Sequence, residues 1–237
     1  MELISIILPM YKRGRYTEFT LAHTEQITKN TDVEYVLVDD GNSEEYFDNF
    51  IKPFYTRNVG RCKLVRHDTN EGLRNSVIDG IKQCSGTYIQ KLDNDFIISN
   101  EGWWKVGTDI LKTGKVGLVV PMHLKDRNNY KNNIPNSHEP GFYICQFTGG
   151  NWLINRSAVS GKIFSKSTFS IPGMSLFSSS RLHLRDFGIV NLGETTKVWA
   201  RHLGEPGYHT LEDANPLAID TLEDHAAYYR EVGRKGQ

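Results

Sequence analysis

Two aspartates separated by one residue, Asp93 and Asp95, with Asn94 between them, are the part of the sequence richest in chemistry. Carboxylate oxygens suit hard cations such as Mg²⁺ or Mn²⁺, and two of them leave coordination positions open for diphosphate oxygens. An ion held there neutralises a diphosphate and stabilises it as a leaving group. Three earlier clusters carry further polar side chains: Pro9–Arg13, Asp39–Ser43 and Asn70–Asn75. In the second, a carboxylate can accept a hydrogen bond from a nucleobase N–H. The third opens a helix, whose N-terminus favours anions, with Arg74 one turn in and able to reach a base or phosphate. Each cluster also has a plainer reading: acidic turns after strands, Asp and Gly chosen for backbone geometry, and a solvated helix face.

The elements around these clusters decide between the readings. Leu3–Leu8 is a β-branched apolar run stopped by Pro9, as a buried strand requires. A helix-compatible stretch follows to about Lys29. Glu34–Val38 reads as a second strand, with Ser43 capping a helix to about Phe54, and Arg61–Arg66 as a third. Leu73, Val77 and Ile81 recur at helical spacing, with Ile78 widening the stripe, until Ser85-Gly86 ends the helix before a fourth strand at Thr87–Leu92. Strands alternating with helices at this spacing imply an α/β fold with a mainly parallel sheet flanked by helices. Ligands of such sheets bind at the carboxyl ends of the strands, where Pro9–Arg13, Asp39–Ser43 and Asp93–Asp95 all fall.

The later half is less regular. Val116–Pro121, Phe142–Phe147 and Trp152–Asn155 read as strands, the last two around Gly149-Gly150. Lys125–Pro140 reads as a long loop or acceptor-facing insertion. A helix is expected over Ser178–Asp186, a late strand over Thr196–Ala200 just before His202, and a terminal helix over Asp220–Arg230.

Composition sets the outer bounds. At 237 residues the chain suffices for one α/β domain. Lys plus Arg and Asp plus Glu are equal at 28 each, so no global field draws the protein to nucleic acid or membrane. Three scattered cysteines with no CxxC pair argue against a disulfide framework or a zinc site built on them. No signal-peptide pattern or membrane-length apolar run is present, so the expectation is a soluble, cytoplasmic protein without stable membrane insertion.

Four segments together resemble glycosyltransferase family 2 and related GT-A (Rossmann-like) enzymes: ISIILPMYKR (Ile4–Arg13), YVLVDDGNSEE (Tyr35–Glu45), HDTNEGLRNSVIDGI (His67–Ile81) and GTYIQKLDND (Gly86–Asp95). Their order and spacing match over about the first hundred residues. The resemblance implies a metal-dependent glycosyltransferase moving a sugar from a nucleotide-diphosphate donor, typically a UDP-sugar, to a hydroxyl acceptor. Pro9 and Tyr11 would line the nucleotide pocket, Asp39 would recognise the base, and Arg74 would face the nucleotide. Asp93 would lie near ribose and metal, and Asp95 would ligate Mn²⁺ or Mg²⁺ directly. Asp40, Asn70 and Asn94 belong to the same donor-facing clusters. Gly150, in Gly149-Gly150-Asn151-Trp152, resembles the small-residue stretch beneath sugar and acceptor, and His202 the late histidine that completes the metal site. Residues 1–100 would form the nucleotide-sugar-binding half, 101–203 the acceptor and catalytic half of the same domain, and 204–237 a tail.

One departure bears on mechanism. Inverting members carry a Glu-Asp pair upstream of the position of Gly188, supplying the base that an inverting displacement needs. The corresponding Pro172–Phe177 has no carboxylate. Asp186 and Glu194 are nearby candidates for the base. Retention of configuration, or a binding module without activity, are the alternatives. A nucleotidyltransferase fits less well, because such enzymes show a Gly-rich basic loop after the first strand. The acceptor (a protein, a glycan, a metabolite or a modified nucleic-acid base) and the oligomeric state stay open. Trp103-Trp104-Lys105 and His123–Lys131 are read either as acceptor-groove lining or, for the tryptophans, as core.

Overall fold

A computed structural model of the chain describes residues 2–98, 102–114, 116–121, 137–139, 142–145, 151–158, 187–190 and 200–202. Strands β1 (Ile4–Met10) and β2 (Val33–Asp40) are buried along their whole lengths. That is the environment required by their apolar runs, Ile6–Leu8 and Tyr35–Val38, since a strand covered on both faces has no solvent side. β1 pairs in parallel with β2 on one side and with β4 (Tyr88–Lys91) on the other, and β2 pairs in parallel with β3 (Cys62–His67). The chain thus steps outward from β1 to β2 and β3, then returns across β1 to lay down β4. The connections of β1 and β4 lead away in opposite directions, which makes the crevice beyond their carboxyl ends the topological switch point.

Side chains alternate between the two faces, as the strand period dictates. Ile4, Ile6 and Leu8 of β1 with Tyr35 and Leu37 of β2 pack on the face covered by α1 (Gly14–Ile27) and α5 (Trp103–Lys112). Ile7, Val36 and Val38 face the other way, against Val77 and Ile78 of α4 (Leu73–Gln83). Trp103 and Trp104 are both fully buried in the first core, and the Trp103 indole donates to Gln90 Oε1 at 2.8 Å. The pair therefore belongs to the core and does not line an acceptor groove. Ser43 caps α2 (Glu44–Tyr46) as its sequence position suggests, accepting from the Tyr46 N–H. The helix then widens into a π-helical segment over Phe47–Ile51 before α3 (Lys52–Arg57). Pro53 accounts for the widening, because its ring has no N–H and excludes the carbonyl one turn back.

Beyond β4 the sheet becomes mixed. β9 (Leu153–Asn155) lies antiparallel between β4 and β6 (Leu118–Pro121). β10 (Phe187–Val190) runs parallel to β6 and antiparallel to β8 (Phe142–Cys145), which pairs with β7 (Ser137–Glu139). β7 falls inside the stretch read as loop, and neither β10 nor β5 (Phe96–Ile98) has a signal in the sequence strong enough to stand out. β5 pairs with β11 (Ala200–His202) in a separate two-stranded ribbon. The helices expected at Ser178–Asp186 and Asp220–Arg230, and residues 196–199 of the late strand, lie outside the described residues. Among the described residues no helix is long and apolar enough to cross a membrane. Cys62 and Cys84 are free, and burial pushes both thiols up to about 12, so both stay protonated and inert.

At the amino ends of the strands, a buried acid ties the sheet together. Glu34 of β2 accepts from Ser5 of β1 at 2.5 Å, from the Ser85 N–H and hydroxyl at 2.5 and 2.6 Å, and pairs with Lys63 of β3 at 2.8 Å. Burial works to raise its pKa, but these donors together outweigh it and hold the carboxyl at about 2. At the opposite ends of the strands, Gly41 sits at φ 75°, and a Cβ there would come within 2.3 Å of the Thr69 carbonyl carbon.

Two outcomes follow for stability. Because the folded pKa of Glu34 is depressed, its contribution is complete above the unfolded value near 4.5 and is lost as pH falls toward 2. Glu34→Gln is expected to cost about 2–3 kcal/mol at pH 7 and to flatten the acid limb between pH 5 and 2, measured by urea denaturation across that range. Gly41→Ala combines a left-handed backbone with a backbone clash, and is expected to cost about 2–4 kcal/mol in the same assay.

Candidate functional site

The residues following β1 through β4 converge on one cavity of about 410 Å³, a size suited to a small ligand. Pro9, Met10, Tyr11, Lys12 and Arg13 line it from the end of β1, Asp40 from β2, Asn70, Gly72 and Leu73 from the entry to α4, and Asp93, Asn94 and Asp95 from the end of β4. Of the residues expected to bind a donor, Pro9, Tyr11, Asp40, Asn70, Asp93 and Asn94 are therefore brought together. Asp39 and Arg74 do not line the cavity; Asp39 is fully buried beneath it. Gly150, Asp186 and Glu194 lie outside the described residues.

Both helices that start at the cavity point their N-termini toward it. α1 begins after Arg13 and α4 after Gly72, so the positive ends of two helix dipoles meet the same space and favour an anion there. Getting from β1 into α1 takes an uncommon backbone: Lys12 and Arg13 have φ of 54° and 59°, both left-handed. Such residues cost of order 1–3 kcal/mol each and persist only where their surroundings hold them. Here the surroundings do. The Lys12 N–H donates to Asn42 Oδ1 at 2.7 Å, and the Lys12 carbonyl accepts from Asn94 Nδ2 at 3.1 Å and from the Tyr46 hydroxyl. Asn42 in turn donates to the Met10 carbonyl and to Asp39.

The two aspartates after β2 have different tasks. Asp39 accepts from Asn42 on one oxygen and from Arg66 Nε at 3.0 Å on the other. The Arg66 guanidinium lies 4.0 Å from the centre of the Phe47 ring and also pairs with Glu44. Asp40 braces the loop before α4: its Oδ1 accepts from the Glu71 N–H at 2.9 Å and from His67 Nδ1 at 2.8 Å, and its Oδ2 from the Gly72 N–H at 3.0 Å. Gly72 itself has φ 86° and ψ 155°, a conformation open to glycine, and this turn is what lets its N–H face Asp40.

At the end of β4, Asp95 is 1% exposed and forms an ion pair with Arg13, while Asp93 is paired with Lys91, itself only 2% exposed. An uncompensated carboxylate could not be held at that depth, so the two cations are part of the site. Asp93 is fixed from a second side, since its N–H donates to Asn151 Oδ1 at 2.6 Å. In the β5–β11 ribbon the register sets His202 opposite Phe96, one residue past Asp95.

Sequence reading gave no individual role to Lys91, Arg13, Asn42 or Asn151, although the last three fall inside clusters it singled out. Lys91 carries a usable signal, because it lies two residues before Asp93 at the end of a strand, on the same face. Asn151 has none: it comes from fifty-odd residues away and reaches Asp93 only because β9 pairs with β4.

The comparisons with known proteins agree with this geometry. Residues 5–183 match the family model for glycosyl transferase family 2. The uncharacterized glycosyltransferase EpsJ of Bacillus subtilis is 33% identical over 100 residues, which is 42% of this chain and 28% of that protein. Among solved structures, the mannosyltransferase PcManGT from Pyrobaculum calidifontis, in complex with GDP-Man and Mn²⁺, superposes with a TM-score of 0.63 at 14% identity, covering 87% of this chain and 58% of that one. Residues 1–349 of S. aureus TarS in complex with UDP-GlcNAc superpose with a TM-score of 0.59 at 17% identity, covering 80% and 56% of the two chains. These likenesses carry the fold, a mixed, mostly parallel sheet flanked by helices, and the family model spans well over half of the sequence. The chain belongs to glycosyl transferase family 2.

Proposed function

We propose that this chain transfers a sugar from a nucleotide-diphosphate donor, a UDP-sugar on the family resemblance, to a hydroxyl acceptor with the help of a divalent cation. The observation that carries the reading is the cavity at the switch point between β1 and β4, where two helix N-termini and the Asp93–Asp95 pair share one space. Helix termini without acids would suit any anion. Acids beside them call for a cation between carboxylates and phosphate.

The donor set fits Mn²⁺ or Mg²⁺. Asp93 and Asp95 offer the hard oxygen ligands these ions prefer, and both carboxylates already hold positive charge through Lys91 and Arg13. His202 would complete the set from β11. The bound ion supplies charge neutralisation to a departing diphosphate. Arg13, lining the same cavity and paired with Asp95, would be free to meet diphosphate oxygens if Asp95 ligated a metal. Tyr11, 41% exposed at the cavity mouth, offers its ring to the nucleobase. Asp39, outside the cavity lining, would offer Oδ2 to the base N–H once Arg66 moves off it, Arg74 would support the nucleotide from α4, and Gly150 would be the small residue beneath the sugar. Asp186 and Glu194 remain the candidates for the base that an inverting transfer needs.

The neighbours bound to UDP-GlcNAc and to GDP-Man with Mn²⁺ support a nucleotide-sugar donor and a metal-assisted reaction. The chain spans only 28% of the EpsJ sequence, so the acceptor is not carried over from that relative.

Calorimetric titration of UDP-GlcNAc and GDP-mannose, with and without Mn²⁺, tests the reading. Wild-type protein is expected to bind one of them more tightly with Mn²⁺ present. Asp95→Ala should abolish that metal-dependent increment. Asp39→Asn should weaken nucleotide binding about ten-fold or more with or without metal, the usual effect of losing a hydrogen bond to a charged group. Wild-type affinity in both variants would remove the site assignment, and no binding of any nucleotide sugar would sink the reading itself.

A further inference from the structure

Behind the wall of the cavity lies a second group of metal-ligating side chains that the donor reading does not use. Among the described residues, His67, Glu71 and Asp79 each place a ligand atom within 4.8 Å of the other two. His67 ends β3, Glu71 lies in the loop that Asp40 braces, and Asp79 is two turns into α4. An acidic cluster alone would say little, since such groups occur on most surfaces. The histidine changes its meaning. The His67 side chain is only 7% exposed, and its Nε2 is buried without a hydrogen-bond partner although it faces Asp79 Oδ2 at 3.4 Å. A buried imidazole nitrogen that faces a carboxylate without a hydrogen bond is open to an ion, and Asp79 holds Lys82 through its other oxygen at 2.6 Å.

We propose that His67, Glu71 and Asp79 form a second divalent-cation site, separate from Asp93–Asp95 and suited to Zn²⁺. Three observations support it. First, the other ring nitrogen is already engaged: His67 Nδ1 lies 2.8 Å from Asp40 Oδ1. With Nδ1–H donating to that carboxylate, the neutral ring presents the Nε2 lone pair to the cluster, the carboxylate–histidine–metal arrangement that orients such ligands. Second, the spacing suits a small ion. Tetrahedral zinc with bonds near 2.0–2.1 Å separates its ligand atoms by about 3.3 Å, so the His67–Asp79 pair needs no adjustment. The exposed Glu71 carboxylate closes the remaining gap by rotating its side chain. Third, one imidazole nitrogen and two carboxylate oxygens are a donor set that Zn²⁺ accepts. A fourth position is left for water.

The consequence is mechanical. An ion there would tie β3 and α4 to the same loop whose Glu71 and Gly72 N–H groups Asp40 holds, and that loop carries Asn70 and Gly72 into the cavity wall.

Zn²⁺ alone, titrated calorimetrically into chelator-stripped Asp95→Ala protein, isolates this site from the first. One equivalent is expected to bind with micromolar affinity or better and to raise Tm. Nitrogen-15 NMR should show His67 Nε2 moving on binding. Glu71→Gln, at an exposed position that leaves the fold intact, should weaken binding at least ten-fold, and Asp79→Asn and His67→Gln about a hundred-fold. Absence of binding below about 100 µM would overturn the proposal and leave His67 as a proton-bearing link between Asp40 and Asp79. Binding that Glu71→Gln and Asp79→Asn leave unchanged would overturn it as well.

Discussion

Four carboxylates stand at the ends of the strands, and the cost of burying them governs the loops around the cavity. Asp39, Asp40 and Asp95 are almost wholly removed from water, and Asp93 is partly buried, its side chain 20% exposed. A carboxylate at such depth is tolerable only when it is paired with a cation or saturated with hydrogen bonds. Each is. Asp39 is met by Asn42 and Arg66, Asp40 by two backbone N–H groups and His67, Asp93 by Lys91, and Asp95 by Arg13. The connections after β1, β2, β3 and β4 are shaped by the need to deliver those partners.

This also explains the backbone of the site. The left-handed pair Lys12 and Arg13 places Arg13 against Asp95 across the switch point, while Asn42, Asn94 and Tyr46 hold the turn from three sides. Glycine is favoured at two places for different reasons: at Gly41 a Cβ would strike the loop before α4, and at Gly72 the positive φ turns an N–H toward Asp40. Strain and buried charge thus sit on the face where ligand binding is proposed. The amino ends of the same strands are held by the Glu34 network, whose donors fasten β1, β2, β3 and the turn before β4 together.

On the proposed metal role, a site of this design would exchange cations. Lys91 and Arg13 keep the acid pair neutral, and a divalent ion bringing its own diphosphate would relieve them of that task. The two carboxylates therefore need no large rearrangement to change partner, only movement of flexible basic side chains. The same economy appears at His67, where Asp40 serves both the cavity loop and the imidazole, so that one carboxylate links two regions of proposed ligand chemistry.

The sequence by itself determined the strands β1 to β4, the helices between them and the clusters that follow the strands. Long apolar runs and a helical stripe are local signals, readable without knowing what packs against what. The Asp93-Asn94-Asp95 cluster and its order relative to Asp39 and Arg74 were legible for the same reason, and with them the family. Tertiary structure alone decided which residues share the cavity. It buried Asp39 beneath the wall while leaving Asp40 in it, brought Asn151 to the Asp93 N–H through β9, and set Arg13 and Lys91 as the counter-charges of the acid pair. It also made β9 antiparallel, and it set short β5 beside β11 so that His202 falls opposite Phe96. Three- and four-residue strands carry too little periodicity to announce themselves, and a charge partner 82 residues away in sequence leaves no local trace. Both depend on the pairing of distant segments, which only the folded sheet defines.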